Sequence, residues 1–278
     1  MQTSTCLFTL AHFASFMVDQ RTITALVGGL AVFHSVATAQ QLLALFVCTL
    51  YTCNLLKATF RIPRPTLQLV PEAGYGFPSA HAAVALAVGL WWVPTTLTGR
   101  SIAVLGAVLI GISRLVLLVH SPLDVVGGWL VGYGAWYVLH PILLTLPCAV
   151  LPTHSLVLLP VGILVLARAH PHDPTARDHT FEESLAALGC AAGIWLSLVW
   201  HVHLSHDVGA VLRMSLSVAG ALTARWMTLR AMRLGRAMRG SQIVGGYAAL
   251  VWGLFACTPR TSFTCPAGAF LTAPGAHE

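Results

Sequence analysis

Long apolar runs separated by short polar breaks repeat along the chain, at lengths far beyond those of strands. A helix needs about 20 mostly apolar residues to cross a bilayer. On that rule the pattern predicts spans over 22–38, 41–57, 79–97, 102–119, 122–146, 153–168, 184–203, 208–226 and 243–258. A shorter run over 5–18 suits either a marginal span or a helix lying at the interface. The main polar breaks are Asp19-Gln20-Arg21, a Pro- and Gly-rich loop over 58–78, Thr98-Gly99-Arg100, and a loop from His170 to Glu183. The expected fold is all-α: a polytopic membrane helical bundle of about 8–10 spans. It forms one integral domain over 1–278, with a core near 41–146 and additional spans near 153–258.

Composition strengthens this reading. The 278 residues are 56% hydrophobic and 9% charged, with a mean hydropathy of +0.78, whereas soluble domains carry about 25% charged residues. The net charge of +6 comes from fourteen Arg and one Lys against nine acids. That balance suits an anionic lipid surface, and in so apolar a chain it argues against nucleic acid as a partner. Among Arg225, Arg230, Arg233, Arg236 and Arg239, several are spaced to share a helix face against headgroups. The seven Cys show no paired spacing and read as small hydrophobes. Cys257 and Cys265 could bridge in an oxidising compartment. The N-terminal run lacks a basic leader, so no cleavable signal is expected.

Chemistry gathers in three places. Arg114 sits in an apolar run, where an arginine costs roughly 2.5–3.5 kcal/mol at mid-span, so an intramembrane charge points to function. His120 ends that run, and Asp124 follows four residues later, past Pro122. Ser121 is placed as an N-cap, Pro122 at the first helical position and Asp124 in the first turn. Asp124 can then accept from one ring nitrogen of His120 and leave the other nucleophilic, the orienting logic of a catalytic triad. On an ideal helix Arg114 lies about 120° off the His120 face. Either the last turn unwinds or the arginine reaches upward.

The second place holds Lys57 and, seven residues on, Arg64 followed by Pro65, with Arg61 between them. Snorkelling cations at a span end would look similar, but Lys57 is the only lysine in the chain. The third is Pro78-Ser79-Ala80-His81, which reads as a capped helix start whose free N–H groups suit a phosphate. Lys57, Arg64 and Arg114 with those N–H groups could stabilise three equatorial oxygens without a metal. The span count places 57–79, 120–124, the 170–183 loop and the arginine run at one membrane face.

Lys57-x6-Arg64-Pro65, Pro78-Ser79-Ala80-His81 and Ser113-Arg114-x5-His120-x3-Asp124 resemble, in order and spacing, the three-part signature of the type 2 phosphatidic acid phosphatase superfamily. Vanadium haloperoxidases and glucose-6-phosphatases share that superfamily. Ala80 departs from the usual Gly. The resemblance implies the superfamily's core helix bundle and roles by position. His120 resembles the nucleophile that becomes phosphohistidine, Asp124 its orienting partner, and His81 the general acid. Lys57, Arg64 and Arg114 resemble the phosphate clamp, assisted by backbone N–H groups at Ser79 and Ala80. No metal or other cofactor is implied.

Arg61-Ile-Pro-Arg-Pro, Tyr75-Gly-Phe-Pro-Ser and His120-Ser-Pro-Leu-Asp-Val-Val-Gly-Gly are similar to the sphingosine-1-phosphate (long-chain-base phosphate) phosphatase branch. The implied activity is metal-independent hydrolysis of a lipid phosphomonoester. With twelve residues between Pro65 and Pro78, little cap can be built, so a headgroup arriving laterally fits better than a soluble sugar. Tyr75 and Phe77 either line that approach or pack the loop. The alternatives are a glucose-6-phosphatase-like sugar phosphatase, a prenyl pyrophosphate phosphatase and a lipid phosphotransferase. A membrane transporter or silent scaffold would fit the buried charges, but leaves the complete signature unexplained. A metal at His201, His203, His206 and Asp207, or in the 170–183 loop, is the minor alternative. The arginine run would make the site's face cytoplasmic. The resemblance implies a lumenal or periplasmic face, in the endoplasmic reticulum of a eukaryote or the inner membrane of a bacterium.

Overall fold

The computed structural model describes residues 2–19, 22–23, 26–27, 29–30, 34–70, 72–145, 165–166, 171, 183–184 and 187–193. The arginine run, the 201–207 histidines, Cys257, Cys265, the spans predicted over 208–226 and 243–258 and most of those over 153–168 and 184–203 lie outside these residues. The named elements are all helices: α1 (Gln2–Met17), α2 (Val36–Phe60), α3 (Ala80–Trp92), α4 (Leu97–Val116) and α5 (Pro122–Thr145). Two of them, α2 over Ala37–Phe60 and α4, are long and apolar enough to cross a membrane. The described residues form a helical membrane bundle.

Three predicted boundaries move, each for a local reason. The break expected between 38 and 41 falls instead at His34-Ser35, where Ser35 is extended and its side chain accepts from the Thr38 N–H. Thr38, Gln40 and Gln41 continue the helix. Their polarity serves the interior: Gln40 is buried, and the Gln41 amide donates to the Leu143 carbonyl near the end of α5. The span expected over 79–97 stops at Trp92. With 13 residues, α3 is about 20 Å long, short of the roughly 30 Å hydrocarbon core. Val93, forced extended by the proline that follows it, ends the helix. Thr98-Gly99-Arg100, expected as a turn, is the first turn of α4, because Thr96 caps it by accepting from the Gly99 N–H.

The faces of α4 are reversed relative to a soluble helix. Leu97, Ile102, Leu105, Leu109 and Ile112 are exposed, while Gly99, Ala103, Ala107, Gly111 and Arg114 face inward. Large apolar groups outside and small residues between helices is how packing works where lipid removes the hydrophobic drive. The contact between α3 and α5 depends on the same economy of volume. A Cβ at Gly128 would lie 2.4 Å from the Ser79 carbonyl oxygen, and one at Gly132 only 2.2 Å from that of Ala83. These two glycines, one helical turn apart, let α5 lie backbone to backbone against the start of α3.

The bundle's chemistry lies where α2 and α4 end and α3 and α5 begin. Arg61, left-handed at φ 54°, closes α2 by donating its N–H to the Lys57 carbonyl. The loop to α3 is pinned by a Pro63–Tyr75 bridge, by the Gly76 N–H on the Ile62 carbonyl and by the Leu69 N–H on the Leu117 carbonyl. At the end of α4 the N–H of Val119 bonds the Arg114 carbonyl and that of Leu118 the Leu115 carbonyl, with Leu118 at φ 56°. This is a Schellman ending with leucine where glycine is usual. The helix therefore unwinds before His120, which answers the 120° mismatch with Arg114.

Candidate active site

The two arginines of the proposed clamp arrive from opposite sides and meet over one carboxylate. Arg114 is on the last turn of α4 and Arg64 on the loop after α2; their side chains are 3% and 8% exposed. Glu72 bridges them: Oε2 lies 2.9 Å from Arg64 Nη1, and Oε1 accepts from Arg114 Nη2. Burial alone would raise the Glu72 carboxyl, but Arg114 and Arg64 outweigh it and hold it at about 2. The loop fixes Glu72 through its own N–H, which donates to Gln68 Oε1 at 2.8 Å, while Gln68 Nε2 donates to the Pro65 carbonyl.

A chain of hydroxyls holds Arg114 from behind. Nη1 donates to Ser15 Oγ of α1 at 3.0 Å, Ser15 Oγ lies 3.1 Å from Ser113 Oγ, and Ser113 donates to the Ile110 carbonyl. Because Ser113 spends its proton on that carbonyl, Ser15 donates to Ser113 and keeps a lone pair for Arg114. Arg64 Nη1 is held by the Val119 carbonyl at 3.1 Å. The Nε atoms of both arginines are buried with no hydrogen-bond partner among the described residues. Buried donors are normally paired, so the pair has donor capacity to spare for a further acceptor.

His120 lies between the clamp and Asp124. Its Nε2 is 3.2 Å from Arg64 Nη1, and its Nδ1 is 3.5 Å from Asp124 Oδ2. A guanidinium can only donate; where Arg64 Nη1, whose two protons also face Glu72 Oε2 and the Val119 carbonyl, gives one to His120, Nε2 is the acceptor and the ring proton sits on Nδ1, facing the carboxylate. The Nδ1 distance is longer than a formed hydrogen bond, and Nδ1 is buried with no hydrogen-bond partner among the described residues. Burial first, then the charges of Arg64, Arg114 and Lys57, push His120 down to about 4 against the opposing pull of Asp124. The imidazole is neutral near pH 7, with its free nitrogen toward the cations.

Asp124 is placed by its own helix start. Its Oδ2 accepts the Ser121 N–H at 2.7 Å while Ser121 Oγ accepts the Asp124 N–H at 3.2 Å, a reciprocal capping box. Gly76 is needed beside it, since a Cβ there would come within 2.9 Å of Oδ2. Ser79 sits at the N-cap position of α3, but its side chain makes no cap hydrogen bond. Its N–H is committed to the Asp124 carbonyl at 2.9 Å, which ties the two helix starts together. The Ser79 hydroxyl, buried without a partner among the described residues, is what Ser79 has left to offer. The Ala80 N–H begins α3 beside it.

His81 follows in the first turn of α3. Together with His12, Ser15, Asp19, Glu72 and Arg114 it lines a cavity of about 150 Å³, and it interacts electrostatically with His120 and Lys57. Lys57 is buried on the last turn of α2, within electrostatic reach of Arg64, Glu72 and Glu183. Glu183, from the predicted 170–183 loop, accepts from Asn54 Nδ2 at 3.1 Å. The three motif segments and the end of that loop therefore converge. Tyr75 is bridged to Pro63 through its backbone. The Phe77 ring packs edge-on against Phe60 and lies over Gly127, where a Cβ would come within 2.3 Å of it.

Sequence alone does not single out Glu72 or Ser15. Glu72 carried a usable signal, as the only acid between Asp19 and Asp124. Ser15 carried none.

Residues 38–147 match the model of the PAP2 superfamily. The match spans Lys57 to Asp124 and leaves α1, with Ser15, outside it. It supports the superfamily and a phosphatase-type activity, here in a membrane protein. No curated protein and no solved structure matches the chain.

Proposed function

We propose that the protein is a metal-independent lipid phosphate phosphatase that hydrolyses a phosphomonoester through a phosphohistidine on His120, with a sphingoid-base phosphate or similar lipid phosphate as substrate. The observation that carries this reading is the two-sided placement of His120, with Nε2 toward Arg64 and Nδ1 toward Asp124. A nucleophile for phosphorus needs a lone pair on the side of the phosphate and a proton on the side of a carboxylate.

In this mechanism Arg64, Arg114, Lys57 and the Ala80 N–H hold the phosphoryl oxygens. His120 Nε2 attacks phosphorus as the P–O bond to the lipid breaks, and His81, which burial and Arg114 keep neutral in the resting site and which takes up a proton as the dianionic phosphate enters, gives that proton to the departing alkoxide. The ring of His120 becomes a positively charged phosphoimidazole, stabilised by Asp124. Water then attacks phosphorus, His81 takes back a proton, and the P–N bond breaks to release phosphate and neutral His120. Phosphoryl transfer asks mainly for positioning and charge stabilisation, which three buried cations supply. A site at the bundle end beside a short loop suits a lipid headgroup, and its assignment to the lumenal or periplasmic face belongs to the same proposal.

The test is a substrate panel on purified protein: sphingosine phosphate, phosphatidic acid, undecaprenyl pyrophosphate and glucose-6-phosphate, with His120→Ala as blank. Turnover of the first, inhibition by vanadate and indifference to a chelator are expected. Phosphate release by His120→Ala at the wild-type rate would overturn the mechanism.

A further inference from the structure

In the resting protein Glu72 occupies the place that the phosphatase reading gives to substrate. Its two oxygens sit on two different guanidiniums, as two oxygens of a phosphoryl group would. The Arg64 nitrogen it touches is also the one beside His120 Nε2. The three partners differ in how firmly they are held. The Arg114 and Arg64 side chains are 3% and 8% exposed, whereas that of Glu72 is 27% exposed. Arg114 is also held by Ser15, and Arg64 by the Val119 carbonyl. If one member leaves, it is the carboxylate, which can turn to water while the arginines stay in place.

We propose that Glu72 is an internal anion that fills the phosphate clamp until a doubly charged ligand displaces it, so that it selects phosphomonoesters against phosphodiesters. The inference rests on the phosphatase reading and adds a specificity-determining residue to it. A phosphodiester carries one negative charge, no more than the tethered carboxylate already supplies at a high effective concentration. A phosphomonoester, with a second pKa of about 6, is largely a dianion at neutral pH and doubles the Coulomb attraction to each guanidinium. The setting gives this filter its use. Phosphodiester headgroups crowd any bilayer surface, and an open cluster of three buried cations would be filled by them.

The experiment compares the purified full chain with Glu72→Gln and, as a second variant, Glu72→Asp, which keeps the charge on a shorter arm. Binding of orthophosphate and of dimethyl phosphate is read from the shift in thermal unfolding midpoint at pH 7.5. Wild type is expected to bind orthophosphate and to ignore dimethyl phosphate at the same concentrations. Glu72→Gln is expected to bind orthophosphate about tenfold more tightly, as for a clamp about nine-tenths occupied before ligand arrives, and to begin binding dimethyl phosphate. Glu72→Asp should fall between, and decides the matter if the glutamine variant does not fold. Orthophosphate binding no tighter in either variant would make Glu72 a mere buttress and overturn the inference. So would equal binding of both ligands by wild type; if wild type still hydrolyses a phosphomonoester, the phosphatase reading survives. Wild type that neither binds orthophosphate nor hydrolyses any monoester would overturn both.

Discussion

Asp124→Asn exchanges a charge for a dipole without changing volume, at the place where the proposed mechanism depends on that charge. The Asp124 and His120 side chains are 2% and 1% exposed, and Oδ2 lies 3.5 Å from Nδ1. At an effective dielectric of about 20, a unit pair at that distance is worth about 5 kcal/mol. When phosphorus bonds to Nε2 with Nδ1 protonated, the ring gains up to one positive charge. A half-developed charge at the transition state predicts a fall in kcat of about fiftyfold, and a fully developed one about three-thousandfold. The asparagine oxygen can still accept the Ser121 N–H, so the cap survives and the unfolding midpoint should move by only a few degrees. Since no group that holds phosphate is removed, KM should change little. The assay is single-turnover phosphate release beside thermal unfolding. A folded Asp124→Asn protein within threefold of wild-type kcat would refute the reasoning.

Ser15→Ala leaves Arg114 Nη1 without its acceptor at 3.0 Å. It should cost about 1–3 kcal/mol of stability and raise KM several-fold; unchanged KM and midpoint would show that α1 does not position the arginine. Gly132→Ala puts a methyl 2.2 Å from the Ala83 carbonyl oxygen and should destabilise by about 1–3 kcal/mol, so an unshifted midpoint would contradict the close approach of α3 and α5. Glu72 is held at about 2, below its ordinary 4.5. Its ion pairs therefore stabilise the fold fully above pH 4.5, and that contribution is lost as pH falls through 2. The stability gap between wild type and Glu72→Gln should shrink over that window, and a constant gap would contradict the pairing.

The features legible in the sequence are those encoded by neighbours. The start of α5 was readable because Ser121, Pro122 and Asp124 form a cap within four residues, and the start of α3 because Ser79 follows a proline. The three motif segments could be placed at one end of the bundle by counting spans. Their hydrogen bonds could not. Gln40 and Gln41 look like a polar break, and only the packing of α2 against α5 shows them to be interior contacts. The shortness of α3 was visible in Pro94, but apolar composition on both sides outweighed it. Glu72 and Ser15 reach Arg114 across 42 and 99 residues, and no local pattern encodes such a meeting. The carboxylate lying between the two arginines thus appears only with the fold.

The proposed mechanism depends most on covalent attachment of phosphorus to one nitrogen, and rapid-quench labelling tests that directly. The full chain is mixed with ³²P-labelled sphingosine phosphate, quenched in denaturant within milliseconds and digested for peptide mapping. The expected label is acid-labile and alkali-stable, lies on the peptide containing His120, forms before free phosphate appears, and is absent from His120→Ala. Label on any other residue, or phosphate released by wild type in a burst with no labelled protein at any time, would contradict it.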